Sequence, residues 1–136
     1  MSVMFILFVS DPARAAAFYR LVLGSAPVLD VEGMTEFALP GGARLGLMPM
    51  DGIRRLLPRL PVSPGSGAPR SELYLRVDDP GAALRTALEA GAGLLDGPAM
   101  RDWGDEVAYA LDPDGHIVAF ARSPGQQPRT RPTSFS

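Results

Sequence analysis

The residues best suited to chemistry are Glu72, Tyr74 and Arg76, which alternate along one predicted strand. Successive side chains of a strand point to opposite faces of the sheet, so a carboxylate, a phenol and a guanidinium would share one face. The carboxylate could act as a general base or anchor a ligand, and the phenol or the guanidinium could stabilise a developing negative charge. Glu72 is therefore the candidate catalytic residue.

The composition excludes several other kinds of chemistry. The 136 residues include no Cys, all 13 basic residues are Arg, and His116 is the only histidine. These counts exclude a thiol nucleophile, a disulfide framework, a zinc–thiolate site, a Schiff-base lysine and a phosphate-loop lysine. The net charge of −2 gives no basic surface for a nucleic-acid partner. The apolar start is about seven residues long, well short of the roughly 20 that span a bilayer, so we expect a cytoplasmic protein without a membrane partner.

Two similar halves of the chain supply the elements that must position these residues. Residues 9–12 (Val-Ser-Asp-Pro) and 77–80 (Val-Asp-Asp-Pro) each follow a run with strand character and precede a helical pattern. Asp is favoured at the N-cap of a helix and Pro at its first residue. Further strands follow each helix, and residues 112–115 (Asp-Pro-Asp-Gly) are a specific hairpin signal.

Each half is therefore predicted to be a βαβββ module, and both modules to form one domain over residues 1–122. The modules span about 1–57 and 71–122, with a Pro- and Gly-rich linker at 58–70 and a flexible tail at 123–136. Neither module is large enough to bury a core well alone. The predicted fold class is α+β, with the tandem modules forming a curved mixed sheet, helices outside and an open cleft inside.

These motifs resemble those of the vicinal-oxygen-chelate superfamily, which contains glyoxalase I, extradiol dioxygenases and bleomycin- and fosfomycin-resistance proteins. The resemblance covers residues 3–122 and rests on 9–24, on 77–79, on Trp103-Gly104 and on 112–116 (Asp-Pro-Asp-Gly-His). It implies the glyoxalase/bleomycin resistance/dioxygenase fold, a cleft open to one side and, commonly, a homodimer that completes the cleft. It implies no single activity, because one fold hosts many chemistries.

The resemblance also implies a divalent metal held by His, Glu or Gln on the inner face of the sheet. The four ligand positions correspond here to Met4, Gly46, Glu72 and Ala119. Only Glu72 can bind a hard cation, and one carboxylate cannot replace three or four ligands. His116 is expected to point away from the face that carries Ala119, because strand side chains alternate. We therefore predict no metal and no other cofactor; the alternative is a metal anchored by Glu72, in an enzyme or with an acid from a partner chain.

Without metal ligands, the predicted cleft is apolar and rich in sulfur, with a few polar groups, as small-molecule pockets are. Alternation along the strands places eight ligand-binding candidates on its inner face: Met4, Ile6, Phe8, Met48, Glu72, Tyr74, Arg76 and Ala119. Glu72 and Arg76 either pair or hold opposite ends of a ligand. Trp103 and Tyr109 are expected to offer stacking surfaces at the rim, and Arg54 to bind a carboxylate or phosphate beside the mouth. Core packing is the alternative for the apolar residues, and a short surface helix is the alternative for Arg54. Asp102, Asp105 and Glu106, which flank Trp103-Gly104, are expected to form a solvated strand entry.

Three functions fit these observations. The first is a small-molecule-binding protein without metal ligands that sequesters a drug-like or amphipathic ligand, as the resemblance to the bleomycin-resistance branch implies. The second is a metal-dependent lyase, isomerase or dioxygenase of the glyoxalase type that uses Glu72, although such enolate chemistry needs a Lewis acid. The third is a partner-binding module that uses its outer helices and keeps its cleft packed shut. The residue types favour the first function and identify no ligand.

Overall fold

The computed structural model describes residues 1–59 and 69–125, which form two βαβββ modules. The first module consists of β1 (Met4–Val9), α1 (Pro12–Leu23), β2 (Leu29–Val31), β3 (Met34–Ala38), a 3₁₀ turn (Pro40–Gly42), β4 (Arg44–Pro49) and the short helix α2 (Met50–Leu56). The second module consists of β5 (Glu72–Arg76), α3 (Pro80–Glu89), β6 (Gly93–Met100), β7 (Glu106–Leu111) and β8 (Ile117–Arg122). The predicted α+β class and the tandem modules are confirmed. Most of the predicted linker and tail, residues 60–68 and 126–136, lies outside the described residues.

The strands form two four-stranded mixed sheets that share one strand order. The first sheet runs β1-β4-β3-β2 and the second runs β5-β8-β7-β6. In each sheet the first and last strands of the module pair in parallel, and the other pairs are antiparallel. A parallel pair needs a crossover connection, which includes α1 in the first module and α3 in the second. Within the described ranges, no strand of one sheet pairs with a strand of the other, and β1 and β5 are edge strands of their sheets.

Both long helices begin at the Asp-Pro pairs of the repeat. The Asp11 carboxylate accepts the Arg14 backbone N–H at 3.2 Å, and the Asp79 carboxylate accepts that of Ala82 at 3.1 Å. These are N-cap bonds, and a proline occupies the first turn of each helix. Helix α1 ends at Gly24, whose φ of 71° is left-handed and therefore favours glycine. No helix in the part of the chain that the structure describes is both long and apolar enough to cross a bilayer.

One hydrophobic core joins the helix-covered sides of the two sheets. The first module contributes the buried residues Val9, Ala15, Phe18, Tyr19, Phe37, Leu45 and Leu47. The second module contributes Leu84, Ala87, Ala108, Ala110, Val118 and Phe120. Helix α1 contacts α3, and each helix also contacts a strand of its own module. Because the buried cluster includes side chains of both modules, each module completes the core of the other.

The turn at residues 112–116, called the inter-module turn below, adds polar contacts between the modules. The buried Tyr19 hydroxyl donates a hydrogen bond of 2.6 Å to the Asp112 carboxylate. The Asp114 carboxylate accepts hydrogen bonds from the backbone N–H and the hydroxyl of Ser10, at 2.8 Å and 2.7 Å. Within residues 1–59 and 69–125, every hydrogen bond between the modules involves this turn. The Asp-Pro-Asp-Gly segment therefore does more than reverse the chain.

Candidate functional site

Each sheet has a second face turned away from the shared core, and these two inner faces carry most of the predicted site residues. In the first sheet, the inner face contains Met4, Ile6 and Phe8 of β1, and the register places Ile6 beside Gly46 and Phe8 beside Met48 of β4. In the second sheet, the inner face contains Glu72, Tyr74 and Arg76 of β5, beside Ile117, Ala119 and Ala121 of β8. Most intervening residues of these strands contribute to the shared core, namely Leu7, Val9, Leu45, Leu47, Leu73, Leu75, Val118 and Phe120, whereas Phe5 is exposed. Strand alternation thus predicted correctly which residues share a face.

The inner face of the first sheet is apolar around Gly46. A Cβ atom at Gly46 would lie 3.2 Å from Sδ of Met34, 3.2 Å from Cγ1 of Ile6 and 3.3 Å from Sδ of Met4. Two thioethers and an isoleucine therefore fill the space above this glycine. Met4 and Ile6 still expose 39% and 36% of their surface, so the same side chains offer apolar area to a ligand. The contact of Met34 with the Gly46 position was not predicted, because the strand of Met34 carries no chemical motif.

The inner face of the second sheet carries a hydrogen-bond network centred on Asp105. Its carboxylate accepts hydrogen bonds from the Tyr74 hydroxyl at 2.6 Å, the Ser123 hydroxyl at 2.7 Å and the Arg76 guanidinium at 3.1 Å. The Trp103 indole N–H in turn donates to the Tyr74 oxygen at 2.9 Å. The hydrogen bonds from Tyr74 and then Ser123 hold the pKa of Asp105 below its usual range. Asp105 is only 5% exposed, so the prediction of a solvated strand entry was wrong for this residue.

Tyr74 and Arg76 both donate hydrogen bonds to the Asp105 carboxylate. Burial, followed by the hydrogen bond to Asp105, raises the pKa of Tyr74, which keeps the phenol neutral. The Arg76 guanidinium carbon lies 5.5 Å from the centroid of the Tyr74 ring. Arg76 forms its ion pair with Asp105 at 3.1 Å, rather than with Glu72. The charge of Arg76 is therefore compensated within the site.

Tyr109 lies on the other side of the β8 strand from Tyr74. Ala119 pairs with Tyr74 of β5 and with Tyr109 of β7, and it is fully buried in a small cluster that both tyrosines pack against. The Arg101 guanidinium carbon lies 5.1 Å from the centroid of the Tyr109 ring. Arg101 also forms an ion pair with Asp96 at 3.0 Å. The contact of Arg101 with the Tyr109 ring was not predicted, because no sequence motif connects the two residues.

Glu72 differs from the other charged residues of this face. It is exposed at the start of β5, and its carboxylate has no hydrogen bond or ion pair to any described residue. Burial, followed by the Glu72 charge, raises the pKa of Tyr109. Glu72 of β5 and Tyr109 of β7 lie on the same face, on the two sides of β8.

The four positions implied for metal ligands do not fit a hard divalent cation. Met4 and Gly46 form part of an apolar contact, Ala119 presents a buried methyl group, and Glu72 supplies a single carboxylate. Within the described ranges, no group of three or more His, Cys, Asp or Glu residues is placed to hold a metal ion. Magnesium and calcium need several oxygen ligands, and zinc needs three or four nitrogen, sulfur or oxygen ligands. The side chains at these four positions therefore do not form a ligand set for a hard divalent cation.

Three further candidates lie at the margins of the inner faces or away from them. Trp103 is 60% exposed, and its role as a stacking surface stays a prediction. Arg54 pairs with Asp51 at 3.1 Å on the short helix α2, which is the surface-helix alternative. The His116 ring nitrogen Nε2 lies 3.0 Å from the Phe8 carbonyl oxygen, so His116 serves the inter-module turn.

An open depression of about 600 Å³ lies elsewhere, between α1 and the β2–β3 hairpin. Its polar lining includes Arg20, Asp30, Glu32 and Thr35, and none of the predicted site residues contributes to it. The chemistry described above therefore belongs to the inner faces and not to this depression.

The sequence matches a family model described as a glyoxalase-like domain over residues 4–120. The structure is similar to a glyoxalase-related enzyme from Fulvimarina pelagi, with 24% identity, 90% of this chain and 87% of that chain covered, and a TM-score of 0.78. It is similar to a glyoxalase/bleomycin resistance protein/dioxygenase family enzyme from Burkholderia phytofirmans PsJN, with 21% identity, coverages of 88% and 96%, and a TM-score of 0.78. It is also similar to a protein from Agrobacterium tumefaciens solved by NMR in solution, with 28% identity, coverages of 90% and 96%, and a TM-score of 0.69. No curated protein matches the chain.

Proposed function

The chain belongs to the family of glyoxalase-like domains, and we propose that it binds an amphipathic small molecule on its inner faces without using a metal. The observation that carries this proposal is the contact at Gly46, where two thioethers and an isoleucine fill the space in front of an implied ligand position. The same fold is kept while three of its four ligand positions hold residues that cannot coordinate a hard cation. Membership of the vicinal-oxygen-chelate superfamily, expected from the motifs, is confirmed by the family model and the structural neighbours.

The inner faces have the composition of a small-molecule site. The first sheet offers apolar side chains that remain partly exposed, including Met4 and Ile6. The second sheet offers aromatic rings and polar groups whose positions are fixed by the network around Asp105. Fixed polar groups cost little ordering entropy when a ligand binds, which favours affinity. Sequestration of such a ligand follows as the proposed activity.

Binding of the neutral dye Nile red tests this proposal. We expect the dye to bind equally well with and without a chelator, and Ile6→Glu to weaken binding at least about five-fold, because a charge on an apolar contact surface must be desolvated. Leu21→Glu is the matched control: Leu21 is 57% exposed on α1, away from the inner faces, and its replacement should leave affinity unchanged. Metal analysis of the purified protein completes the test. Loss of dye binding on chelation, or equal binding by the Ile6→Glu variant, would contradict the proposal.

A metal-dependent reaction at Glu72 is not proposed. Its chemistry would require further ligands around the Glu72 carboxylate, and the corresponding positions hold Met4, Gly46 and Ala119. Side chains of these types supply no oxygen or nitrogen donor. The side chains at the implied ligand positions therefore favour ligand binding over metal-dependent catalysis.

We further propose that a second copy of the chain covers the exposed edge of β1. Val3 and Phe5, which alternate with the inner-face residues, expose 50% and 68% of their surface along this unpaired edge. Apolar edge strands of this kind are commonly covered by pairing or by another element. The mass in solution, measured by light scattering, should be that of a dimer, and Phe5→Lys should yield a monomer. A monomeric parent protein would contradict this proposal, and a cytoplasmic location stays a prediction from the sequence.

A further inference from the structure

The charges of the two inner faces are unbalanced. Every arginine on them that the structure describes is paired with an acid; these pairs are Arg76–Asp105 at 3.1 Å, Arg101–Asp96 at 3.0 Å and Arg44–Glu36 at 2.6 Å. Glu72 is left over, since no described residue forms an ion pair with it. The inner face of the second sheet therefore carries one uncompensated negative charge.

The hydrogen-bonding capacity of this face is unbalanced at the same place. The Tyr74 hydroxyl donates its proton to Asp105 and accepts a hydrogen bond from Trp103. The Tyr109 hydroxyl forms no hydrogen bond with any residue of the described ranges, and its pKa is raised by burial and by Glu72. The register places both groups on one face, on the two sides of β8: Glu72 of β5 pairs with Ile117, and Tyr109 of β7 pairs with Ala119.

We propose that the bound small molecule carries a protonated amine or a similar N–H cation, and that Glu72 determines this specificity. The carboxylate would accept a charge-assisted hydrogen bond from the cation, and the phenol oxygen of Tyr109 a second one. An anion would meet the Glu72 charge, whereas Arg76, Arg101 and Arg44 are already paired with acids. This inference rests on the proposed binding function and adds the charge class of the ligand to it.

A series of three probes with one apolar body tests the charge preference: phenylbutylamine, phenylbutanol and phenylbutyrate. Affinities can be followed by the fluorescence of Trp103, the only tryptophan, whose indole bonds to Tyr74. We expect the amine to bind about five-fold more tightly than the alcohol, as for a partly exposed ion pair, and the acid most weakly. Glu72→Gln should make the amine and the alcohol equal. Glu89→Gln removes the same charge from the exposed end of α3 and should preserve the preference.

The outcomes separate this inference from the proposed function. If all three probes bind equally, or if the amine preference survives Glu72→Gln, the cation inference is wrong and the binding function stands. If the preference for the amine is lost equally in Glu89→Gln, it arises from net charge, and the assignment to Glu72 fails. If none of the probes binds and Nile red does not bind either, the proposed function itself fails and the inference fails with it.

Discussion

Replacing Tyr19 by Phe tests whether the inter-module turn holds the two modules together. Tyr19 is fully buried, and its hydroxyl donates to Asp112 at 2.6 Å. Asp112 is 4% exposed and also accepts the backbone N–H groups of Asp114 at 2.8 Å and His116 at 2.9 Å. Tyr19→Phe therefore removes one of three donors from a buried carboxylate. The substitution keeps the ring that packs edge-on against Phe18, with the ring centroids 4.9 Å apart.

The expected loss follows from the charge and burial of the acceptor. A hydrogen bond to a charged group contributes about 1.5–3 kcal/mol net to stability. Since two backbone donors still hold Asp112 after the substitution, we expect a loss of about 2 kcal/mol in the free energy of unfolding. Tyr109→Phe is the matched control, because its hydroxyl has no partner among the described residues, and it should change stability by less than about 0.5 kcal/mol.

Urea unfolding followed by far-ultraviolet circular dichroism measures both variants. We expect one cooperative transition, because one buried core includes side chains of both modules. Tyr19→Phe should lower the midpoint and leave the dependence of the free energy on urea unchanged. A Tyr19→Phe variant that matches Tyr109→Phe within about 0.5 kcal/mol would refute a stabilising role for the inter-module turn. Two separate transitions in the parent protein would refute the shared core.

Three further predictions concern ionisation and packing. All three tyrosines have a raised pKa, so absorbance at about 295 nm should show no phenolate near the ordinary value of 10.0 while the protein is folded. The free energy of unfolding should fall above that pH, because the tyrosines of the unfolded chain ionise first. A phenolate that titrates at 10.0 in the folded protein would contradict this prediction. Because the pKa of Asp105 is lowered, the hydrogen bonds to its carboxylate stabilise the fold above the ordinary pKa of 3.8 and are lost as the pH falls below that value. Asp105→Asn should therefore flatten the dependence of the unfolding midpoint on acid pH. An unchanged dependence would disprove this prediction. Gly46→Ala should lower the free energy of unfolding by about 1 kcal/mol, because the thioethers of Met4 and Met34 must move. A Cβ atom at Gly97 would have no atom within 4 Å, so Gly97→Ala should lower it by less. Equal losses in the two variants would contradict close packing at Gly46.

Much of the fold could be predicted because the signals that specify it are local. The Asp-Pro pairs fix where α1 and α3 begin, since capping involves atoms within three residues along the chain. Alternation along β1 and β5 fixes which side chains share a face, since the period of a strand is two. The register then brings Ile6 to Gly46 and Tyr74 to Ala119, in agreement with the predicted faces.

The site could be predicted only in part, because its contacts join residues that are distant along the chain. Tyr74 bonds to a carboxylate 31 residues away, and the sequence contains no signal that connects the two. Asp105 was therefore expected to be solvated, although a buried acid with three donors is what holds this face together. The same reason hid the contact of Arg101 with Tyr109 and that of Met34 with Gly46.

The sequence by itself determined the modules, their faces and the loss of three of the four implied metal-ligand positions. The modules and their faces follow from residue types and periodicity, and the ligand positions follow from the resemblance to the superfamily; neither needs knowledge of how the modules meet. Only the tertiary structure decided that Arg76 pairs with Asp105 and that Glu72 is left without a described partner. It also decided that the Asp-Pro-Asp-Gly turn contacts Ser10 and Tyr19 of the other module. Such pairings depend on which side chains are neighbours in space. A buried carboxylate accepts hydrogen bonds from the donors that the packing of the strands places within hydrogen-bonding distance.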